Sequence, residues 1–255
     1  MTEAKRRTQF LVRLIRPLVE RIPLQRRTLM RKRLTRVRHP AWFGTLRRTK
    51  PLSDAWGRDR GTPLDRYYIE RFLERERSAI RGRVLEVLDA SYTRQFGLDV
   101  DRSDVLDIDP TNAAATLVAD LAAADAIPSE SFDCFILTQT LQYVYDVRSA
   151  IEHVHRILAP NGVVLCTLPS VSRIARRHSE TDHWRFTAAS ARALFAASFG
   201  DDNVAVESHG NVLTAMAFLT GISAEELSRR ELDETDPFFP LVVTVRARRV
   251  RTSRS

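Results

Sequence analysis

From Arg83 onward the chain alternates short apolar runs with helical patterns, and this alternation constrains the fold more than any other feature. The apolar runs cover residues 84–88, 105–108, 116–119, 132–137, 163–168, 204–206 and 241–245. Helical patterns cover 147–158, 188–199, 212–219 and 224–232. Strands separated by helices point to a mostly parallel sheet with both faces covered, and the last run, after a long insertion, is expected to join antiparallel at an edge. Upstream, residues 64–80 read as a helix with Asp65 as N-cap and Tyr68, Phe72 and Ile80 on one face.

Hydrophobic residues make up 44% of the 255, enough to build a core and to exclude global disorder. No stretch approaches the ~20 apolar residues of a membrane-spanning helix. Arginines and Pro17 interrupt residues 10–19, so no secretory pattern is expected at the start. Cys134 and Cys166 sit inside apolar runs without metal-ligand spacing. They read as buried reduced thiols, which suits a cytoplasmic setting and leaves no expected metal site.

The net charge of +8 is unevenly spread. Residues 1–50 hold sixteen Lys/Arg against two Glu, a balance of +14 that leaves −6 for the rest. A basic arm therefore precedes a mildly acidic body, the reverse of a nucleic-acid enzyme with its positive surface around the active site. Phe10, Leu14, Ile15, Leu18 and Ile22 interleave the arm's cations at helical spacing, broken by Pro17 and Pro23. Two readings stay open. The arm lies on an anionic membrane surface, placing the protein at the inner face, or it folds as a helical hairpin packed on the body. The expected division is a basic extension and linker over 1–63, a main domain over 64–246 and a basic tail over 247–255.

In an open α/β sheet, ligands bind beyond the C-terminal ends of the strands at the topological switch point. Three successive strand ends carry acids: Glu86, then Asp107 and Asp109, then Asp120. Such a series suits a nucleoside that also bears an ammonium group, since carboxylates accept from ribose hydroxyls, an exocyclic amine and an ammonium. Each acid taken alone reads better as a solvated loop residue or a cap, Asp120 above all.

The segment Val84-Leu85-Glu86, the entry from Ile127-Pro128 to Phe132-Asp133, the turn from Arg156 to Gly162 and the element Trp184-Arg185-Phe186-Thr187 together carry a resemblance. Over about residues 80–200 the chain resembles the class I S-adenosylmethionine-dependent methyltransferases with a type 11 methyltransferase domain. The runs from Asp59 to Tyr68 and from Asp182 to Thr187 resemble a bacterial subgroup associated with glycosyltransferases. The resemblance implies an α/β fold: a Rossmann-like three-layer sandwich with a mostly parallel seven-stranded sheet, preceded by the basic helical extension. It also implies S-adenosylmethionine as cofactor. Glu86 would then serve the methionine end, with Leu88 and Asp89 in the first loop. Asp109 would take the ribose, with Asp107 as second choice, and Asp120 and the Leu121 backbone would face adenine. Gln139 and Leu141 would border the methionine. Gln142, Trp184 and Arg185 would contact the acceptor, and His183 is the candidate base.

One departure stands out. The family's first loop is glycine-rich, and here Leu88, Asp89 and Ala90 take those places. Glycine there lets backbone approach the cofactor without a Cβ penalty. Two functions follow: methyl transfer to an oxygen or nitrogen of a small-molecule or glycan-type acceptor, or a non-catalytic scaffold that has lost cofactor binding. A nucleic-acid methyltransferase is disfavoured, because Thr138-Gln139-Thr140-Leu141 stands where base-modifying enzymes need stacking groups. A nicotinamide enzyme is disfavoured by the missing G-x-G-x-x-G loop. His153 and His155 read as surface helix residues, and His178 and His209 as loop residues.

Overall fold

The computed structural model describes residues 23–38 and 44–250, which fall into two units, Met1–Thr49 and Lys50–Ser255. In the first unit, helix α1 (Leu24–Arg38) is built from strong helix formers and carries seven Lys/Arg and no acid. Its Leu29, Met30, Leu34 and Val37 are exposed. The expectations for Phe10 to Ile22 fall outside the described residues.

The second unit holds a seven-stranded sheet in the order β3-β2-β1-β4-β5-β7-β6. Its strands are β1 (Gly82–Val87), β2 (Val100–Asp107), β3 (Leu117–Val118), β4 (Phe132–Thr138), β5 (Leu158–Pro169), β6 (Val204–His209) and β7 (Val242–Arg248). The first five pair in parallel. β7 runs antiparallel between β5 and β6. The final strand thus joins antiparallel as expected, but inside the sheet, leaving β6 at the edge.

The period-two alternation of β4 sorts the core into two layers. Phe135 and Leu137 face a cluster with Ile151, Val154 and Phe195 from helices α4 (Val147–Ile157) and α5 (Ala188–Phe199). Cys134 and Ile136 face Ile69, Phe72 and Leu73 of α2 (Leu64–Arg75) and Tyr92 and Phe96 of α3 (Ser91–Phe96). A third cluster joins Leu64 and Tyr68 of α2 to Phe218 of α6 (Val212–Thr220), Leu232 of α7 (Arg229–Asp233) and Leu241. The result is the expected three-layer Rossmann-like sandwich. Because α2 packs its first residue on Leu241 and Val242, which lie beside Pro169 at the end of β5, its N-terminus sits at the C-terminal edge of the sheet.

Several boundaries differ from expectation. α2 stops at Arg75, a separate 3-10 turn covers Arg77–Ala79, and Pro63 rather than Asp65 holds the N-cap position. The 224–232 pattern splits into a 3-10 turn, Ala224–Glu226, and α7, because Ser223 and Ser228 each build a capping box. The compact unit begins at Lys50 rather than at residue 64. Leu52 and Ser53 donate backbone bonds to the Thr220 carbonyl, at 2.7 and 3.3 Å, which ties the linker to α6. Residues 247–248 continue β7, and Arg249 donates to Glu130 Oε1 at 2.8 Å, so the ordered domain extends past residue 246.

Phe135 is fully buried at the centre of the sheet. Phe135→Ala should cost about 3–5 kcal/mol, read as a lower urea midpoint at unchanged slope. A loss below about 1 kcal/mol would contradict the packing described.

Candidate active site

The strand order reverses between β1 and β4. From β1 the chain crosses through α3 to β2, and from β4 it crosses through α4, on the opposite face, to β5. Their C-terminal ends therefore frame the crevice in which such a sheet binds ligands. Both exits turn through the left-handed region without glycine, at Leu88 (φ 76°) and Gln139 (φ 48°). Leucine thus adopts the backbone conformation that glycine normally supplies, at a cost of about 1–2 kcal/mol.

Neighbouring bonds hold this turn. Leu88 N–H donates to the Leu106 carbonyl at 3.0 Å. Asn112 Nδ2 bridges the Leu88 carbonyl (2.7 Å) and Asp107 Oδ2 (2.6 Å). Glu86, only 2% exposed, accepts from the N–H groups of Tyr92 (3.0 Å) and Thr93 (2.7 Å) and from Thr93 Oγ1 (2.7 Å). Burial raises its proton affinity, against the pull of those bonds. Asp89 Oδ1 accepts from Ser91 N–H at 2.6 Å. Glu86 and Asp89 therefore shape the loop through α3, and Leu88 itself is 60% exposed.

At the second strand end the two aspartates divide their work. Asp107 is fully engaged, accepting from Asp109 N–H (3.0 Å) and from Asn112. Asp109 is exposed and uses Oδ1 alone, for Thr111 N–H (2.8 Å) and Oγ1 (2.7 Å); these bonds hold its carboxyl below the usual range. No described residue donates to its Oδ2. Asp120 Oδ1 accepts from Ala122 N–H at 2.9 Å, capping the 3-10 turn Leu121–Ala123, while the Leu121 side chain lies in the core.

Past β4, Gln139 donates its N–H to the Thr167 carbonyl (2.9 Å). Leu141 does not border the crevice, because its side chain is fully buried in the core. Gln142 is 5% exposed, and its carbonyl accepts from His183 N–H (2.8 Å) and Trp184 N–H (3.2 Å), so it anchors the loop after β5. Trp184 donates Nε1–H to the Val144 carbonyl (3.0 Å) and is 40% exposed. Arg185 binds Asp182 through both guanidinium nitrogens and donates to the Arg173 carbonyl (3.1 Å). It is a staple of its own loop, and the carboxylate partner rather than a free acidic acceptor describes its geometry. Burial opposes ionisation of Asp182, but bonds from Arg185 and Ala175 N–H prevail and hold its carboxyl below the usual range.

His183 is exposed, packs edge-on to Tyr145 at 5.3 Å, and no described residue hydrogen-bonds its ring. His155, expected at the surface, is partly buried edge-on to Phe199 at 4.9 Å, and burial lowers its proton affinity. His209 ends β6 rather than lying in a loop, 2.9 Å from Thr244 Oγ1. Sequence reading missed Arg66, which reaches from the start of α2 to the Tyr92 hydroxyl on α3, beside the Leu88 turn. It also missed Arg173, stacked on Trp56. Neither pair has a spacing signal. A cavity of about 490 Å³ bordered by Arg81, Asp133, Asn161 and Arg248 lies at the opposite, N-terminal edge of the strands.

Residues 79–166 match the methyltransferase domain family. That match spans β1 to most of β5, so this part of the chain is similar to a methyltransferase domain. No curated protein matches the chain. Among solved structures, it is similar to an S-adenosylmethionine-dependent methyltransferase from Archaeoglobus fulgidus, with 12% identity, 72% of this chain and 94% of the other covered, and a TM-score of 0.48. The N-methyltransferase NodS from Bradyrhizobium japonicum, in complex with S-adenosyl-L-homocysteine, gives 13% identity, 78% and 93% coverage and a TM-score of 0.48. A methyltransferase from Mesorhizobium loti gives 18% identity, 73% and 98% coverage and a TM-score of 0.45.

Two outcomes follow for the domain. Leu88→Gly should stay within about 1 kcal/mol of the parent in thermal unfolding, since relief of left-handed strain offsets the added chain entropy, whereas Leu88→Val should lose about 1 kcal/mol or more. If Leu88→Gly unfolds well before Leu88→Val, the turn is held by the leucine side chain instead. For Asp182, a depressed carboxyl stabilises the fold above the unfolded-state value of about 4, and that stability is lost as pH falls through the folded value. Trp184 fluorescence should therefore change in acid below about pH 4 in the parent, and Asp182→Asn should remove that transition while lowering stability by about 1.5–3 kcal/mol. An unchanged acid transition in Asp182→Asn would assign it elsewhere.

Proposed function

We propose that the domain transfers a methyl group from S-adenosylmethionine to an oxygen or nitrogen of a small-molecule or glycan-type acceptor. The observation carrying this reading is the crevice between β1 and β4, where Leu88 reproduces a glycine turn and Asp109 keeps one carboxylate oxygen free. Leu88 takes up the turn that glycine would supply, and this weighs against the scaffold reading. The donor chemistry fits the group: Asp109 would hold the ribose hydroxyls, Asp120 and the Leu121 backbone the adenine, and the Leu88–Asp89 turn and Gln139 the methionine end. Bound there, the cofactor supplies a methyl group made electrophilic by its sulfonium. The chain's own part is to align the acceptor and exclude water, with the Asp182–Arg185 staple fixing the loop that carries His183 and Trp184 beside Gln142.

The basic arm belongs to the same proposal as an attachment device for an anionic membrane surface at the cytoplasmic side. The all-cationic α1 with its exposed Leu29, Met30, Leu34 and Val37 supports it. No described helix is long and apolar enough to cross a membrane.

Calorimetric titration with S-adenosylmethionine tests the central reading. The parent should bind, and Asp109→Ala should weaken binding by about 1–3 kcal/mol with its melting temperature unchanged. Unchanged affinity in a folded Asp109→Ala protein would reject the ribose assignment, and no binding to the parent would reject the activity.

A further inference from the structure

Two arginines converge on Asp54 above the C-terminal end of β5. Arg176 donates from Nη2 to Asp54 Oδ2 at 3.0 Å, and Arg173 donates to the carbonyl of the same Asp54. The Arg173 guanidinium lies over the Trp56 ring, its Cζ 3.6 Å from the centroid. Arg173 Nε is buried and has no hydrogen-bond partner, so the protein leaves part of this guanidinium unsatisfied. Burial lowers the proton affinity of Arg173, and the nearby positive charge of Arg176 adds to that while Asp54 opposes it. Two positive charges thus lie beside a single carboxylate, which bonds Arg176 alone.

The two sides of this cluster are fastened independently. On one side Ser53, 4% exposed, accepts from the N–H groups of Ala55 (3.0 Å) and Gly57 (3.1 Å) and donates to Asp59. Trp56 sits at φ 57°, a costly conformation for a bulky aromatic residue, and a Cβ on Gly57 would come within 3.1 Å of the Gly221 and Ile222 carbonyl oxygens. On the other side the Arg185 staple holds the Arg173 carbonyl, and Asp182 holds Ala175 N–H. The ion pair between them is the loose part: the Arg176 and Asp54 side chains are 75% and 62% exposed. An exposed pair of this kind is worth roughly 0–1 kcal/mol, so a better anion displaces it at little cost.

We infer that Arg173 and Arg176 form a subsite for an anionic group of the methyl acceptor, a phosphate or a carboxylate, and that Asp54 holds the place of that group until it binds. The inference rests on the methyltransferase reading for its acceptor, but not for the binding of the anion. Planar guanidinium groups grip phosphate and carboxylate oxygens through paired N–H donors, which a backbone carbonyl and one carboxylate oxygen do not saturate. The subsite adjoins the loop that carries His183 and Trp184, one strand from the β1/β4 crevice, so an acceptor anchored there extends toward the cofactor's methionine end.

The test uses the full chain at low salt, titrated calorimetrically with inorganic pyrophosphate, with malonate and, separately, with S-adenosylmethionine. One of the two anions should bind the parent, and preference between them assigns phosphate or carboxylate. Arg176→Ala and Arg173→Lys should weaken that anion about tenfold or more, Asp54→Asn should tighten it about tenfold, and Arg192→Ala, on α5, should leave it unchanged. S-adenosylmethionine affinity should be the same in all five proteins. The opposite signs expected for Asp54→Asn and Arg176→Ala separate a competed site from general attraction to positive charge. Failure of both anions to bind, parent-like binding in both arginine variants, an Asp54→Asn protein that binds no more tightly, or an equal loss in Arg192→Ala would each overturn the subsite. If S-adenosylmethionine binds and the anions do not, the subsite alone falls. If the anion pattern holds and S-adenosylmethionine does not bind, the subsite stands and the methyltransferase reading falls.

Discussion

The buried carboxylate of Glu86 sets the geometry on which the crevice depends. It lies one residue before the end of β1, in the interior, and accepts from two backbone amides and one hydroxyl at the start of α3. That arrangement places a negative charge at a helix N-terminus and satisfies donors the helix cannot satisfy itself. It also fixes both ends of the Leu88 turn, so that a leucine can be kept in a conformation it disfavours. The cost of burying the acid and of twisting the leucine is met by the hydrogen bonds that converge on this short stretch, including the Asn112 bridge to Asp107. The end of β1, the loop and the acids at the end of β2 are therefore one connected structure rather than separate motifs.

Similar economy governs the loop after β5. There the Asp182–Arg185 pair, its carboxylate almost wholly buried, pins the loop after β5, while Gln142 and Val144 hold it through their carbonyls. Groups that look like ligands in a one-dimensional reading turn out to be fasteners, and exposed groups between the fasteners are left to meet a partner. Asp109 with its free oxygen and Arg176 with its weak surface pair are of that second kind.

The alternation of apolar runs and helical patterns was enough to read the sheet, its two covered faces and its antiparallel final strand. Local bonds decided where elements ended. Ser228 restarts a helix that apolar spacing alone continues, and the Ser53–Thr220 connection draws a linker into the domain. The acids at the strand ends were visible, but their division into engaged and free oxygens was not, since it depends on Asn112 and Thr111, whose bonds only the folded turn creates. Leu88 was legible only as an obstacle, because no sequence pattern announces a leucine held at positive φ. Arg66 with Tyr92, and Arg173 with Trp56, meet across distant segments without any periodic signal.

The placement of β7 between β5 and β6 has a consequence for how the protein is made. β6 pairs with β7 and with no other strand, and β5 presents an unpaired edge until residues 242–248 arrive. During synthesis the first five strands can assemble in chain order, but β6 has to wait, unpaired, while α6 and α7 are added. An apolar strand edge remains open throughout that interval, a template for pairing with other chains. Leu241 and Val242 also complete the cluster that seats the start of α2, so that helix is fastened only once β7 is in place. Part of the packing at the C-terminal edge of the sheet therefore waits on β7, which completes the ladder between β5 and β6.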